Sequence, residues 1–115
     1  MSIVIYHNPR CSKSRQTLQL LNENGVEPEI VEYLKDVPSK DELKNVVTYL
    51  GVNPRDILRK KEADYKESGL NNDNLSDDEV LDIMTQYPKV IERPIVVNGS
   101  KAAIGRPPEN VLKII

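Results

Sequence analysis

"HNPRCSKSR", residues 7–15, stands directly behind the apolar run Ile3-Val4-Ile5-Tyr6 and holds the only histidine and the only cysteine of the chain. Ile3 to Tyr6 reads as a strand. Ser12 to Asn24, with Leu18 and Leu21 on one face and Gly25 as a stop, reads as a helix. Cys11 therefore falls in a polar turn between a strand and a helix N-terminus. Glu29 to Leu34 reads as a second strand, which completes a strand-helix-strand unit with an expected right-handed parallel crossover.

Outward from that unit the chain continues in α/β order. Ser39-Lys40-Asp41-Glu42 is a capping box ahead of Leu43, Val46, Val47 and Leu50 at helical spacing, and Gly51 closes that helix. Asn53-Pro54 opens another, with Ile57 and Leu58 as its apolar contacts and Arg59-Lys60-Lys61 as a basic run along it. Gly69 to Leu75, rich in Asn and Asp, is a loop. Ser76-Asp77-Asp78-Glu79 then caps a helix carrying Val80, Leu81 and Met84, which Tyr87-Pro88 ends. Pro94 to Val97, a turn at Asn98-Gly99 and Lys101 to Ile104 read as a β-hairpin, and a short helix follows Pro107-Pro108. No internal repeat, low-complexity tract or linker interrupts the chain.

Composition narrows the classes of function. The 115 residues suit one domain, 1–115, and 38% hydrophobic with 30% charged residues is the balance of a folded globular chain. Apolar runs of only a few residues leave no transmembrane span, and the start lacks a basic leader with a cleavage site, so a cytoplasmic protein is expected. A lone cysteine forms no intramolecular disulfide, which suits a reducing compartment. One Cys and one His are too few for a structural zinc site, so no metal is expected. With 18 acidic against 16 basic residues, a net charge of -2, the overall field favours neither nucleic acid nor an anionic membrane. Any anion site must be local, and the six arginines, with their planar donor forks, are the candidates to build it.

The order βαβ, helical insertion, ββα resembles the thioredoxin-like fold, an α/β architecture with a small mixed sheet, in which the functional cysteine lies between the first strand and first helix. There the thiol faces unpaired backbone amides and the positive end of the helix dipole, which favour a thiolate. Each candidate also has a plainer role. A lone Cys is often a small buried hydrophobe, although a polar turn is not where such a residue sits. His7 reads equally as a strand-end histidine bonded to a carbonyl. Ser14 reads as an early helical residue or, three positions after Cys11, as a hydroxyl within reach of the thiolate. Cys-Ser-Lys-Ser has Ser14 where a dithiol oxidoreductase has its resolving cysteine, so any redox cycle needs an external thiol.

"YHNPRCSKSRQTL", "ILRKKEADYKE", "ERPIVV" and "IGRPPENVL" together resemble the glutaredoxin-dependent arsenate reductases, over essentially the whole chain. The resemblance implies Cys11 as the nucleophile toward arsenate, Arg59, Arg93 and Arg106 as ligands of the oxyanion, and His7 and Ser14 as residues that hold the thiolate. It implies a cis Pro94, glutathione as co-substrate with no bound cofactor, and glutaredoxin as partner; a monomer is expected. From the residues alone Arg59 is weaker than the other two, because a basic run on a helix is usually a solvated face. Arg10 and Lys13 depart from the smaller, uncharged loop residues of the resistance enzymes, and the longer C-terminal tail of those enzymes is absent. Two other readings stand beside the reductase: a redox-sensing transcription regulator of the same fold, against which Ser14 counts, and a thioredoxin-like thiol- or anion-binding protein without turnover.

Overall fold

The computed structural model describes residues 3–115. The chain forms two compact units: one joins the chain up to Asp36 to Arg93–Ile115, the other is Val37–Glu92.

The first unit holds the sheet. β1 (Ile3–Tyr6) leads to α1 (Ser12–Glu23), and β2 (Glu29–Val31) returns parallel to β1 with Ile30 opposite Ile5. β3 (Ile95–Asn98) pairs antiparallel with β1, and β4 (Lys101–Ile104) antiparallel with β3. The result is a mixed four-stranded sheet in the order β2-β1-β3-β4, followed by a 3-10 helix over Pro108–Lys113. Its core gathers Ile5 of β1, Leu21 of α1, Val96 of β3 and Val111 of the last helix, with Leu18 and Val26 packed against them. Burying each such side chain contributes about 1.5–3 kcal/mol, which is what holds α1 on the sheet. α1 stops in a Schellman motif: Gly25, at φ 78°, donates its N–H to the Asn22 carbonyl at 3.1 Å and Val26 donates to the Leu21 carbonyl at 2.9 Å.

The second unit is helical: α2 (Lys40–Leu50), a 3-10 turn over Pro54–Ile57, α3 (Ala63–Glu67), α4 (Asp77–Gln86) and a 3-10 turn over Pro88–Val90. Both capping boxes form as read, Ser39 with Glu42 and Ser76 with Glu79. The apolar faces of α2 (Leu43, Val46, Val47) and α4 (Val80, Leu81, Met84) are buried.

Four local expectations are corrected. β2 ends at Val31, because the Glu32 carbonyl accepts from the Lys35 and Asp36 amides in a turn that takes Tyr33 and Leu34 out of the strand. The hairpin loop is Gly99-Ser100, one residue later than read, since Asn98 still pairs with Lys101. Gly99, at φ 63°, supplies the left-handed residue that a two-residue hairpin loop requires. The helix read from Asn53-Pro54 is only a 3-10 turn, and Arg59 is not helical: Leu58 is extended and bridges Ile91. There Arg59 N–H donates to the Val90 carbonyl at 2.6 Å and Glu92 N–H to the Ile57 carbonyl at 2.7 Å. Helical spacing was the wrong period for a stretch whose backbone groups are satisfied by a second strand-like segment.

Candidate active site

Register brings three loops of the first unit to one end of its strands. Tyr6, the last residue of β1, lies opposite Ile95, the first of β3, and Ile95 lies opposite Ile104, the last of β4. The segments after β1, before β3 and after β4 carry Cys11, Arg93 and Arg106 respectively.

Cys11 is the N-cap of α1, extended at φ -92° and ψ 124°, and half-buried. An N-cap ordinarily offers an oxygen to the amides two or three residues on. Here sulfur has that position. It closes no cap bond as a neutral thiol, a weak acceptor, and the amides favour the thiolate instead. The Cys11 pKa is accordingly lowered: burial pushes it up, and the Ser14 N–H, the Arg93 guanidinium and the Lys13 N–H outweigh burial. Arg106 also reaches the sulfur, with Nη2 3.6 Å from Sγ, while its Nε donates to the Arg93 carbonyl at 2.8 Å. Arg93 is half-buried; burial opposes its charge, but Tyr33 and the Cys11 sulfur beside it hold its pKa above the ordinary value.

His7 and Ser14 sit beneath this loop. Ser14 is fully buried, accepts the Asn8 N–H at 3.0 Å and shares a 2.6 Å hydrogen bond with His7 Nδ1. Its hydroxyl thus ties the loop together, and it is the Ser14 amide that favours the thiolate. The His7 N–H extends the β1–β2 ladder to the Val31 carbonyl at 2.8 Å. Burial lowers the His7 pKa against the pull of Glu32, and the Arg15 charge lowers it further, which favours the neutral imidazole. Asn8 shapes the turn by accepting the Arg10 N–H at 3.0 Å, and Arg15 Nη1 donates to the Pro9 carbonyl at 3.0 Å. The Arg93–Pro94 and Arg106–Pro107 peptide bonds are both cis.

The third arginine belongs to the second unit. Arg59 Nη1 lies 3.1 Å from Glu92 Oε1, and its Nε lies 3.6 Å from Glu62 Oε1. Sequence reasoning passed over Asn8, Thr17, Tyr33 and Gly105. Asn8 carried a signal in Asn-Pro, which favours a turn; Tyr33 carried none, because it stood inside a stretch that reads as strand. Among the described residues no cluster of three or more His, Cys, Asp or Glu could hold a metal, and no helix is long and apolar enough to cross a membrane.

Similarity to known proteins follows the same outline. The chain is 47% identical to an arsenate reductase of Haemophilus influenzae, with 100% of each chain covered. It is 52% identical to YfgD, an uncharacterized protein of Escherichia coli K12, over 98% of this chain and 96% of that one. The solved structure of an arsenate reductase from Vibrio cholerae is 52% identical and superimposes with a TM-score of 0.95, covering 100% of this chain and 98% of the other. The ArsC family matches residues 6–114. That match begins at the end of β1, runs through the last 3-10 helix and takes in every loop described above; the chain belongs to the ArsC family.

Proposed function

We propose that the protein is an arsenate reductase that takes its electrons from glutathione and glutaredoxin. The observation that carries this reading is the Arg106 guanidinium held 3.6 Å from the Cys11 sulfur and anchored on the Arg93 carbonyl, a nucleophile and two forked donors in one loop cluster. Arsenate at neutral pH is a tetrahedral dianion, and guanidinium donors stabilise its charge while leaving the arsenic face open to sulfur. Cys11 thiolate attacks arsenic, a sulfur–arsenic bond forms and hydroxide or water leaves. Glutathione then attacks the adduct, so that arsenic gains two electrons, passing from the pentavalent to the trivalent state, as thiol sulfur is oxidised to disulfide. Glutaredoxin discharges the resulting mixed disulfide with glutathione. In this scheme His7 and Ser14 hold the loop that presents the Ser14 amide to the thiolate. The chain has one cysteine, so the second thiol comes from outside it, and a reducing cytoplasm supplies that thiol.

The test is turnover of arsenate followed as NADPH consumption through glutathione reductase, with glutathione and glutaredoxin present. Wild-type protein should turn over, and Cys11→Ser should remain folded by circular dichroism and lose all activity. Thioredoxin with its reductase, in place of glutathione, should fail. Efficient turnover with thioredoxin alone overturns the glutathione arm, and no reduction of arsenate by the wild type overturns the reading itself.

A further inference from the structure

We infer that Gly105 and Thr17 are positioning residues, which hold Arg106 against the Cys11 sulfur through a backbone approach too close for any side chain at position 105.

Gly105 is buried at the point where three segments of the first unit meet. A Cβ built there would meet the Thr17 hydroxyl oxygen, the Pro94 ring at 2.8 Å and the Thr17 methyl at 3.0 Å. Space, not a left-handed backbone, is therefore what demands glycine. Gly105 N–H donates to the Pro94 carbonyl at 2.9 Å, and Arg106 N–H donates to the Ile104 carbonyl at 2.9 Å, closing a three-residue turn centred on Gly105. Asn110 secures the far side of that turn by donating to the Arg106 carbonyl at 3.0 Å.

Thr17 is the helix side of the same contact. It is fully buried on α1, two turns into the helix that Cys11 caps, and its hydroxyl donates to the Lys13 carbonyl at 2.7 Å with the Gly105 carbonyl 3.5 Å away. Both residues nearest to a Cβ at Gly105 thus adjoin the site: Pro94 follows Arg93, and Thr17 braces the first turn whose amides face the sulfur. A methyl at 105 must push the loop off α1 and off Pro94. Arg106 reaches Sγ at 3.6 Å and the Arg93 carbonyl at 2.8 Å from that loop, so the displacement opens both contacts. Neither Gly105 nor Thr17 touches the sulfur; they act through Arg106 and Arg93.

The inference rests on the reductase reading only for its kinetic readout, because the ionisation of Cys11 is measured without arsenate. The experiment compares wild type, Gly105→Ala, Thr17→Val, Thr17→Ser and the double variant Thr17→Ala/Gly105→Ala. The readouts are thiolate absorbance against pH, the pH dependence of iodoacetamide alkylation, and kcat/KM for arsenate. Gly105→Ala should raise the thiol pKa and lower kcat/KM by about ten- to a hundredfold. The double variant should recover part of both losses, since two of the three close contacts belong to the Thr17 side chain. Thr17→Val, which keeps the volume and removes the hydroxyl, should shift both readouts the same way by less, and Thr17→Ser should restore them. A folded Gly105→Ala that titrates like wild type overturns the inference. Should Gly105→Ala fail to fold, Thr17→Val matching Thr17→Ser in both titrations overturns it instead. A wild type inactive toward arsenate defeats the reductase reading and leaves the thiol titrations to decide this one.

Discussion

Arg106 and Arg59 carry the same charge into opposite surroundings. In the first unit Arg106 lies against a thiol and a backbone carbonyl, where its charge would favour an anion formed at the sulfur. In the second unit Arg59 stands between Glu92 at 3.1 Å and Glu62 at 3.6 Å, so its charge is already matched by carboxylates. An arginine of the first kind raises the stability of a transient charge, and one of the second kind chiefly organises its own backbone neighbourhood. Residue type places them together; local partners set them apart.

The contrast breaks most visibly under charge-conserving substitution. Lysine keeps the charge of arginine but loses the planar fork, so Arg93→Lys and Arg106→Lys should each lose roughly ten- to a hundredfold in kcat/KM, equivalent to about 1.5–3 kcal/mol of charge-assisted hydrogen bonding. Wild-type kcat/KM in both variants would remove the forked-donor account. A pH titration sharpens the same point with a smaller effect. The Cys11 pKa is lowered in part by Arg93, so Arg93→Ala should raise it and move the acidic limb of the activity profile to higher pH. The thiolate is the reactive form, and the variant needs a higher pH to reach the same thiolate fraction. An acidic limb that stays in place would show that the Ser14 and Lys13 amides suffice.

The smallest effects are expected at Arg59. Arg59→Lys should be nearly silent, and Arg59→Ala should lower kcat/KM by about fivefold or less, with the loss shrinking as ionic strength rises. Glu92→Gln should cost about 1 kcal/mol or less of stability in urea, as expected for a partly exposed ion pair. A tenfold, salt-independent loss in Arg59→Lys would place Arg59 with Arg93 and Arg106 and erase the contrast.

What was legible in the sequence follows from how local the cause is. The place of Cys11 between β1 and the start of α1 was legible because a strand, a polar turn and a helix start all lie within a dozen residues, and the Ser39 and Ser76 caps because a capping box spans four. The strand-like bridge of Leu58 and the surroundings of Tyr33 were not legible, since each involves a partner distant in sequence, whereas the end of β2 is local, a turn closed on the Glu32 carbonyl inside a stretch that keeps a strand-like pattern. Leu58 bridges Ile91, and Tyr33 interacts with Arg93. Gly105 fell between these cases. Pro107-Pro108 marked the start of a short helix, but what makes glycine necessary just before it is Thr17, 88 residues away.

The single thiol has a further consequence, in oxidative chemistry. Cys11 is half-buried, its pKa is lowered, and it has no second cysteine in the chain. Peroxide that reaches such a thiolate yields a sulfenic acid, and a sulfenic acid with no internal partner either meets a thiol from outside or goes on to the irreversible sulfinic and sulfonic acids. The same lack of an internal partner that makes the proposed turnover depend on an external thiol therefore makes that thiol the only protection of Cys11 at rest. A preparation stripped of low-molecular-weight thiols should gain mass at Cys11 in steps of oxygen, and one stored with glutathione should instead carry a removable glutathionyl group.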